Sequence, residues 1–359
     1  MDSYLSMHRE SLLKRVGNIS QIAGAKRYFL ADGRGQGIEC VDVRTGSGFE
    51  YTVMPGRGMD IGWCGYKGMP ISYISKVGAS APSYFSGVQD QWRQCFPGGM
   101  LSTCGLSNVG SFCTDFNEGI GPQAFGQHGR ISNQCAKNVC VCEKWQDEHF
   151  EIQVSGSVTE AQLRAENFTL ERSVTSKLGE NCLRISDVIT NEDFIDRPCL
   201  FLYHVNFGFP VLDEGAVILT SPMQEYIDNG YGEADKMAAR TISAPINRMT
   251  ERLFFYKAAG DSSNACAGIY NETRRLFAYI RYGTKFLPYL TEWKMMGEGD
   301  YVVGLEAGNC IPRGRVNLRD MDALPILKAR TSILNQMEIG IIEGEDKIQA
   351  FIKQENLNV

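Results

Sequence analysis

Long hydrophobic runs are missing from this chain of 359 residues. No stretch reaches the ~18 consecutive apolar residues that a membrane-spanning helix needs. The opening MDSYLSMHRESLLKRVGN has no apolar h-region, so it does not read as a secretory signal, and a cytoplasmic protein is expected. Basic runs are missing too: no Lys/Arg run exceeds two residues, and 36 Lys+Arg stand against 42 Asp+Glu, a net charge of −6. Such a chain lacks the field that draws nucleic acid or an anionic membrane, and neither is expected as a partner. Twelve cysteines are present, but none forms C-x-x-C. Without export, free thiols are the expectation. Cys140 and Cys142 form a C-x-C on an apparent strand, with both thiols on one face, and read as ordinary free cysteines rather than metal ligands.

The familiar cofactor and nucleophile motifs are also lacking. Gly56-Arg57-Gly58 opens like a nucleotide loop, but Ile61 stands where the third glycine belongs and no helix follows. There is no phosphate loop and no H-E-x-x-H. Gly105-Leu106-Ser107-Asn108-Val109 is one residue out of register with a G-x-S-x-G elbow. No metal and no organic cofactor is therefore expected.

What is present is glycine, 38 residues against 12 prolines, and a period-2 alternation of apolar residues. GIECVDVRT (37–45), FEYTVMP (49–55), FEIQVSGSV (150–158), LFLYHVNF (200–207), RLFAYIRY (275–282), YVVGLEAG (301–308) and KIQAFI (347–352) belong to a set of more than a dozen strand candidates. CLRISDVIT (182–190) is expected to pair with 150–158. Helix is expected only at residues 2–15, where Leu5, Leu12 and Leu13 make an apolar face, and at 232–240 and 283–296. Without β-α-β alternation, a doubly wound parallel sheet is disfavoured. The fold class predicted is all-β, a large antiparallel sandwich with few short helices. No linker or repeat divides it, so residues 1–359 read as one domain, with 1–20 as an N-terminal helical extension. Residues 78–130, rich in Gly, Ser, Asn and aromatics but poor in pattern, read as an ordered, site-forming loop region.

Only four histidines exist. His8 and His149 lie in charged surroundings and read as solvent residues. His128, in Gly126-Gln127-His128-Gly129-Arg130, sits between glycines that leave its imidazole unshielded. His204 closes an apolar strand, with Asn206 on the same side as a second candidate contact. Glu306 lies on an apolar strand among glycines. A carboxylate there is costly to bury unless paired, and a raised pKa suits a general base. Arg57 and Asp60 follow a strand end and suit sugar hydroxyls or an anionic substituent, and Trp293 suits the face of a sugar ring. Each also has a plain structural reading: a satisfied core histidine, a strand-end charge in solvent, an Arg57–Asp60 pair, a core tryptophan.

Taken in order, MPGRGMDIGW, FPGGMLSTCGLSNVG, FGQHGRI, LYHVNFGFPVLDEG, LTEWKMM and YVVGLEAGN resemble the galactose mutarotase-like (aldose 1-epimerase) superfamily. They are most similar to its poorly characterised branch of aldose 1-epimerase family proteins. The resemblance runs from about residue 50 to 310. It implies a large antiparallel β-supersandwich with an open cleft, working without metal or organic cofactor on a small carbohydrate. It places the histidine near the sugar ring oxygen at His128, the general acid at His204 and the general base at Glu306, with Arg57, Asp60, Arg130 and Trp293 as the branch's substrate contacts. Val-Asn-Phe after His204 departs from the Thr-Tyr-Phe common in mutarotases. The function expected is interconversion of the anomers of a free sugar or sugar acid. A non-catalytic sugar-binding or sensing protein, or another sugar isomerase, lyase or hydrolase on the same fold, stays open, as does a homo-oligomer.

Overall fold

A computed structural model describes residues 4–118, 120–226, 238–259 and 263–358. Two antiparallel sheets dominate, one of eleven strands and one of eight. In the larger sheet the centre runs Asp60–Tyr66, Leu101–Leu106, Leu200–Gly208, Asp300–Gly308, Tyr289–Gly297. The smaller sheet includes His149–Ala161, Asn167–Lys177, Cys182–Asn191 and Ser332–Glu343 as consecutive neighbours. This is the predicted all-β sandwich, and no described helix is long and apolar enough to cross a membrane.

Strand alternation explains where the core sits. Phe201, Tyr203, Val205 and Phe207 point inward and pack with Ile152, Val154, Leu170, Ile185 and Ile339 of the facing sheet. Leu200 and Leu202 point the other way, into a second cluster with Trp92 and Phe96. The strand Leu200–Gly208 is therefore buried along its whole length, because the segment before residue 100 covers its outer face. That double burial puts a polar side chain such as His204 in a dry place.

Several expectations need correction. Residues 283–296 are not helical: Tyr289–Gly297 is a central strand. TEWKMM turns Glu292 and Lys294 inward with Met296 and leaves Trp293 and Met295 half-buried on the outer face, so polar and apolar residues stand opposite to the usual faces and the alternation is masked. KIQAFI lies in a helix, Glu345–Glu355, not a strand. Ile348, Phe351 and Ile352, at helical spacing, pack on Phe277 and Tyr279, and Glu345 and Asp346 occupy the first turn, where the helix dipole favours them. Cys182–Asn191 pairs with Asn167–Lys177 and Ser332–Glu343, because a strand intervenes before 150–158. The N-terminal helix is shorter than expected, Arg9–Leu13 after a turn at Tyr4–Ser6, and Leu13 is exposed. Of the helix expected at 232–240, residues 238–240 are helical and the rest lies outside the described residues. Residues 78–130 are more regular than expected: Leu101–Leu106 is a central strand, followed by the hairpin Cys113–Asn117 and Gly121–Phe125.

Candidate functional site

The outer face of the larger sheet carries one row of polar residues across four adjacent strands. Ser102, His204, Glu306 and Thr291 stand opposite one another in register. Side chains directly opposite on antiparallel strands lie within contact range, and His204 Nε2 sits 3.1 Å from Glu306 Oε1. Gly304 makes room for this: a Cβ there would lie 2.8 Å from Glu306 Oε1 and 3.1 Å from the Trp293 ring.

The row opens into a cleft of about 660 Å³, within the size range of small-molecule sites. Its wall over His204 comes from the 78–130 region. Trp92 stacks on Phe96 with centroids 4.4 Å apart, and Phe96 lies 5.2 Å from the His204 ring. His128 packs on Trp92 at 4.4 Å and on His204 at 5.8 Å. Its backbone is left-handed, with φ 55°, and its N–H donates to Gly110 O at 3.0 Å. The neighbouring Gly129 permits the turn, since a Cβ there would meet Gly105 O at 2.1 Å. His128 is 8 % exposed, so the expectation of an unshielded imidazole is corrected: Trp92 covers it.

Trp293 lines the cleft from the far side, edge-on to His204 at 5.3 Å, and its Nε1–H donates to Glu251 Oε2 at 2.8 Å. The rim cations are matched by carboxylates. Arg93 lies 4.0 Å from Glu251 and donates to Gln127, and Lys76 lies 2.6 Å from Asp300, which also accepts from the Tyr73 hydroxyl at 3.3 Å.

Burial sets the protonation of the central groups. It pushes the His204 imidazole down to about 4 and the Glu306 carboxyl well above its usual range, with Glu251 adding to the latter. It also holds the His128 imidazole well below its ordinary value, helped by His204 and Arg93. Burial thus favours a neutral His204–Glu306 pair sharing one proton. Beside this pair, His128 Nδ1, His204 Nδ1, Asn206 Oδ1 and Thr291 Oγ1 are among the buried atoms with no hydrogen-bond partner among the described residues.

His204, Glu306, His128 and Trp293 therefore meet at one cleft. The other sequence candidates do not line it, and their assignment as sugar contacts is corrected. Arg57 is 1 % exposed and donates to Ser80 O, inside a turn. Asp60 lies between the sheets, accepting from Thr103 N at 3.0 Å, Thr103 Oγ1 at 2.7 Å and Ser132 Oγ. Arg130 is paired with Glu166 and stands 3.8 Å from Glu160. Asn206 points to the His204 side but donates to His204 O at 2.9 Å and Gly99 O at 3.1 Å, so it braces the strand. With Arg57 and Arg130 engaged elsewhere, neither is placed to select an acidic substituent. Sequence reasoning missed Trp92, Phe96, Glu251 and Asp300. The aromatic density of 78–130 pointed toward the first two; Glu251 stands just before a strand and Asp300 at a strand's first residue, where a carboxylate is ordinary and gave no signal.

A model of the family DUF4432, a domain of unknown function, matches residues 35–341. The chain belongs to this family. Solved structures give the DUF4432 chain its fold. A Klebsiella pneumoniae protein named as a candidate aldose 1-epimerase superposes with a TM-score of 0.83 at 22 % identity, covering 94 % of this chain and 90 % of that one. A galactose mutarotase-like protein from Clostridium acetobutylicum gives 0.63 at 16 % identity, with 90 % and 100 % covered. A galactose 1-epimerase from Lactobacillus acidophilus gives 0.54 at 10 % identity, with 90 % and 99 % covered. No curated protein matches the DUF4432 sequence. The fold is galactose mutarotase-like.

Proposed function

We propose that this protein is an isomerase of the aldose 1-epimerase type, exchanging the anomers of a carbohydrate by opening and reclosing its ring. One observation carries the reading: a histidine and a carboxyl group, 3.1 Å apart, form part of the wall of a cleft flanked by aromatic rings. The chemistry needs two proton transfers at one carbon. The ring oxygen and the anomeric hydroxyl oxygen share C1 through single bonds and lie only about 2.3 Å apart. An acid and a base in contact with each other on one wall can therefore reach both, and need not stand on opposite sides of the ring.

The pair holds one proton. Burial keeps both groups neutral, and transfer of the proton from Glu306 to His204 gives carboxylate and imidazolium. The Glu306 carboxylate takes the proton of the anomeric hydroxyl as the imidazolium gives its own to the ring oxygen. The C1–ring-oxygen bond breaks, leaving an open-chain carbonyl. Rotation about one bond and reversal of both transfers closes the ring on the other face, and the protein ends as it began. The His128 and Trp293 rings line the cleft beside the reacting carbon.

Exchange spectroscopy by NMR on candidate sugars tests this. Glu306→Gln and His204→Ala are each expected to lower the exchange rate ~10²–10⁴-fold, the usual worth of a positioned acid or base, with the melting curve kept. Exchange at the parent rate in either variant refutes the assignment.

A further inference from the structure

The cleft is longer than a single sugar ring. Its floor follows the outer face of two paired strands row by row: Glu306, then Trp293 opposite Gly304, then Met295 opposite Val302, then Asp300. Six residues separate Glu306 from Asp300, a span of ~20 Å at about 3.3 Å per strand residue. A pyranose with its hydroxyls, built from bonds of ~1.5 Å, is no more than about 8 Å across. A ring placed with C1 at the His204–Glu306 pair therefore leaves the Asp300 end of the cleft empty.

That end has the character of a second sugar site. Trp293 and Met295 are half-buried and give it an apolar floor. Gly304 lets the floor run on without a side chain between Glu306 and Trp293. The Trp293 ring is fixed by its Nε1–H bond to Glu251, so it is held in place before any ligand arrives. Lys76, Asp300 and the Tyr73 hydroxyl close the far end as a joined donor and acceptor set. Because the Lys76 charge is balanced by Asp300 at 2.6 Å, the set suits neutral hydroxyls rather than an anion.

We propose that the cleft takes a reducing disaccharide, with its reducing ring at the His204–Glu306 pair and its second ring over Trp293 and Met295 against Lys76 and Asp300. The proposal rests on the anomer-exchange reading and extends it from the reacting ring to the substrate class. A free monosaccharide reacts more slowly because it forgoes the distal contacts.

The test compares kcat/KM for anomer exchange of D-glucose with that of maltose, cellobiose and lactose, and of D-galactose with that of β-1,4-galactobiose, each disaccharide against the monosaccharide that forms its reducing ring. At least one disaccharide is expected to exceed its parent by ~10-fold or more. Asp300→Ala and, separately, the exposed Lys76→Ala are expected to bring that ratio toward one. Monosaccharides that match or exceed every disaccharide, or a ratio unmoved in both variants, overturn the proposal. If none of the six sugars exchanges, the anomer-exchange reading fails by itself, and calorimetry with the methyl glycosides of the same sugars decides the distal site. Tighter binding of a methyl disaccharide than of its methyl monosaccharide, weakened by Asp300→Ala, upholds it; equal binding, or none, overturns it.

Discussion

Between the sheets, Asp60, Thr103, Ser132, Arg172, Asp187 and Tyr203 are all buried, and none leaves a buried side-chain polar atom without a hydrogen bond. One residue along, on the outer face of the same sheet, His204, Asn206 and Thr291 are just as buried and each leaves one. The inner set is closed. Arg172 donates to Asp187 at 2.8 and 2.6 Å and to Thr103 at 2.8 Å, Tyr203 donates to Asp187 at 2.6 Å, and Asp60 stands 3.7 Å from Arg172. Buried polar groups cost least when every partner is present. A network that meets this standard holds two sheets together; the row that fails it runs beside the cleft, and His204 is its member that lines it. Burial and polarity alone do not separate the two, and Asp60 shows it, since it looked like a sugar contact and is a structural anchor.

Breaking the closed set gives the largest effect. Arg172→Met leaves Asp187 and Asp60 buried without their cation. Removing one partner from a buried ion pair typically costs about 3–5 kcal/mol. Chemical denaturation is expected to show a loss of that order. A loss below ~1 kcal/mol means that the inner network is not what fastens the sheets.

Three inner-face residues depart from the pattern: Tyr282 and Asn335, each with one unpartnered side-chain atom among the described residues, and Glu292, which sharpens it. Glu292 is fully buried, its carboxyl oxygens have no hydrogen-bond partner among the described residues, and Arg240 approaches only to 3.7 Å. Burial raises its pKa from 4.5 to about 7. The sign follows from proton uptake: between pH 4.5 and 7 the folded chain binds this proton more tightly than the unfolded chain, so folding loses stability as pH rises through that window. The 2.5-unit gap between 4.5 and 7 corresponds to about 3 kcal/mol. Glu292→Gln is expected to leave stability unchanged below pH 4.5 and to raise it by up to that amount at pH 8. Parallel pH–stability curves for the two proteins contradict the assignment.

The sequence carried the sandwich because period-2 alternation survives wherever one face is wet, as in 150–158. It failed at 283–296, where TEWKMM puts Glu292 and Lys294 on the inner face and Trp293 and Met295 on the cleft side, and at 347–352, where Ile348, Phe351 and Ile352 fit either period over so short a run. For the cleft, the legible residues were polar ones in apolar strands, His204 and Glu306, together with His128 between glycines. Arg57, Asp60 and Arg130 looked equally exceptional, but their partners Ser80, Ser132, Thr103, Glu160 and Glu166 come from distant segments that no local pattern reveals. Asp300 and Glu251 gave no signal because a carboxylate at the start of a strand is ordinary until the fold aims it.

The smallest and most discriminating comparison uses one substitution on both faces. Thr103 donates its hydroxyl to Asp60 at 2.7 Å and accepts from Arg172 at 2.8 Å. Thr291, in register with Glu306, is 0 % exposed and its hydroxyl has no partner among the described residues. Threonine to valine changes little but the hydroxyl at both positions. Thr103→Val strips a bond from each of two charged groups and is expected to cost about 1.5–3 kcal/mol. Thr291→Val replaces an unsatisfied hydroxyl by a methyl, so stability in denaturant should hold or rise by up to ~1 kcal/mol. If Thr291→Val costs as much as Thr103→Val, the outer row is satisfied in solution, and the contrast between the two faces fails.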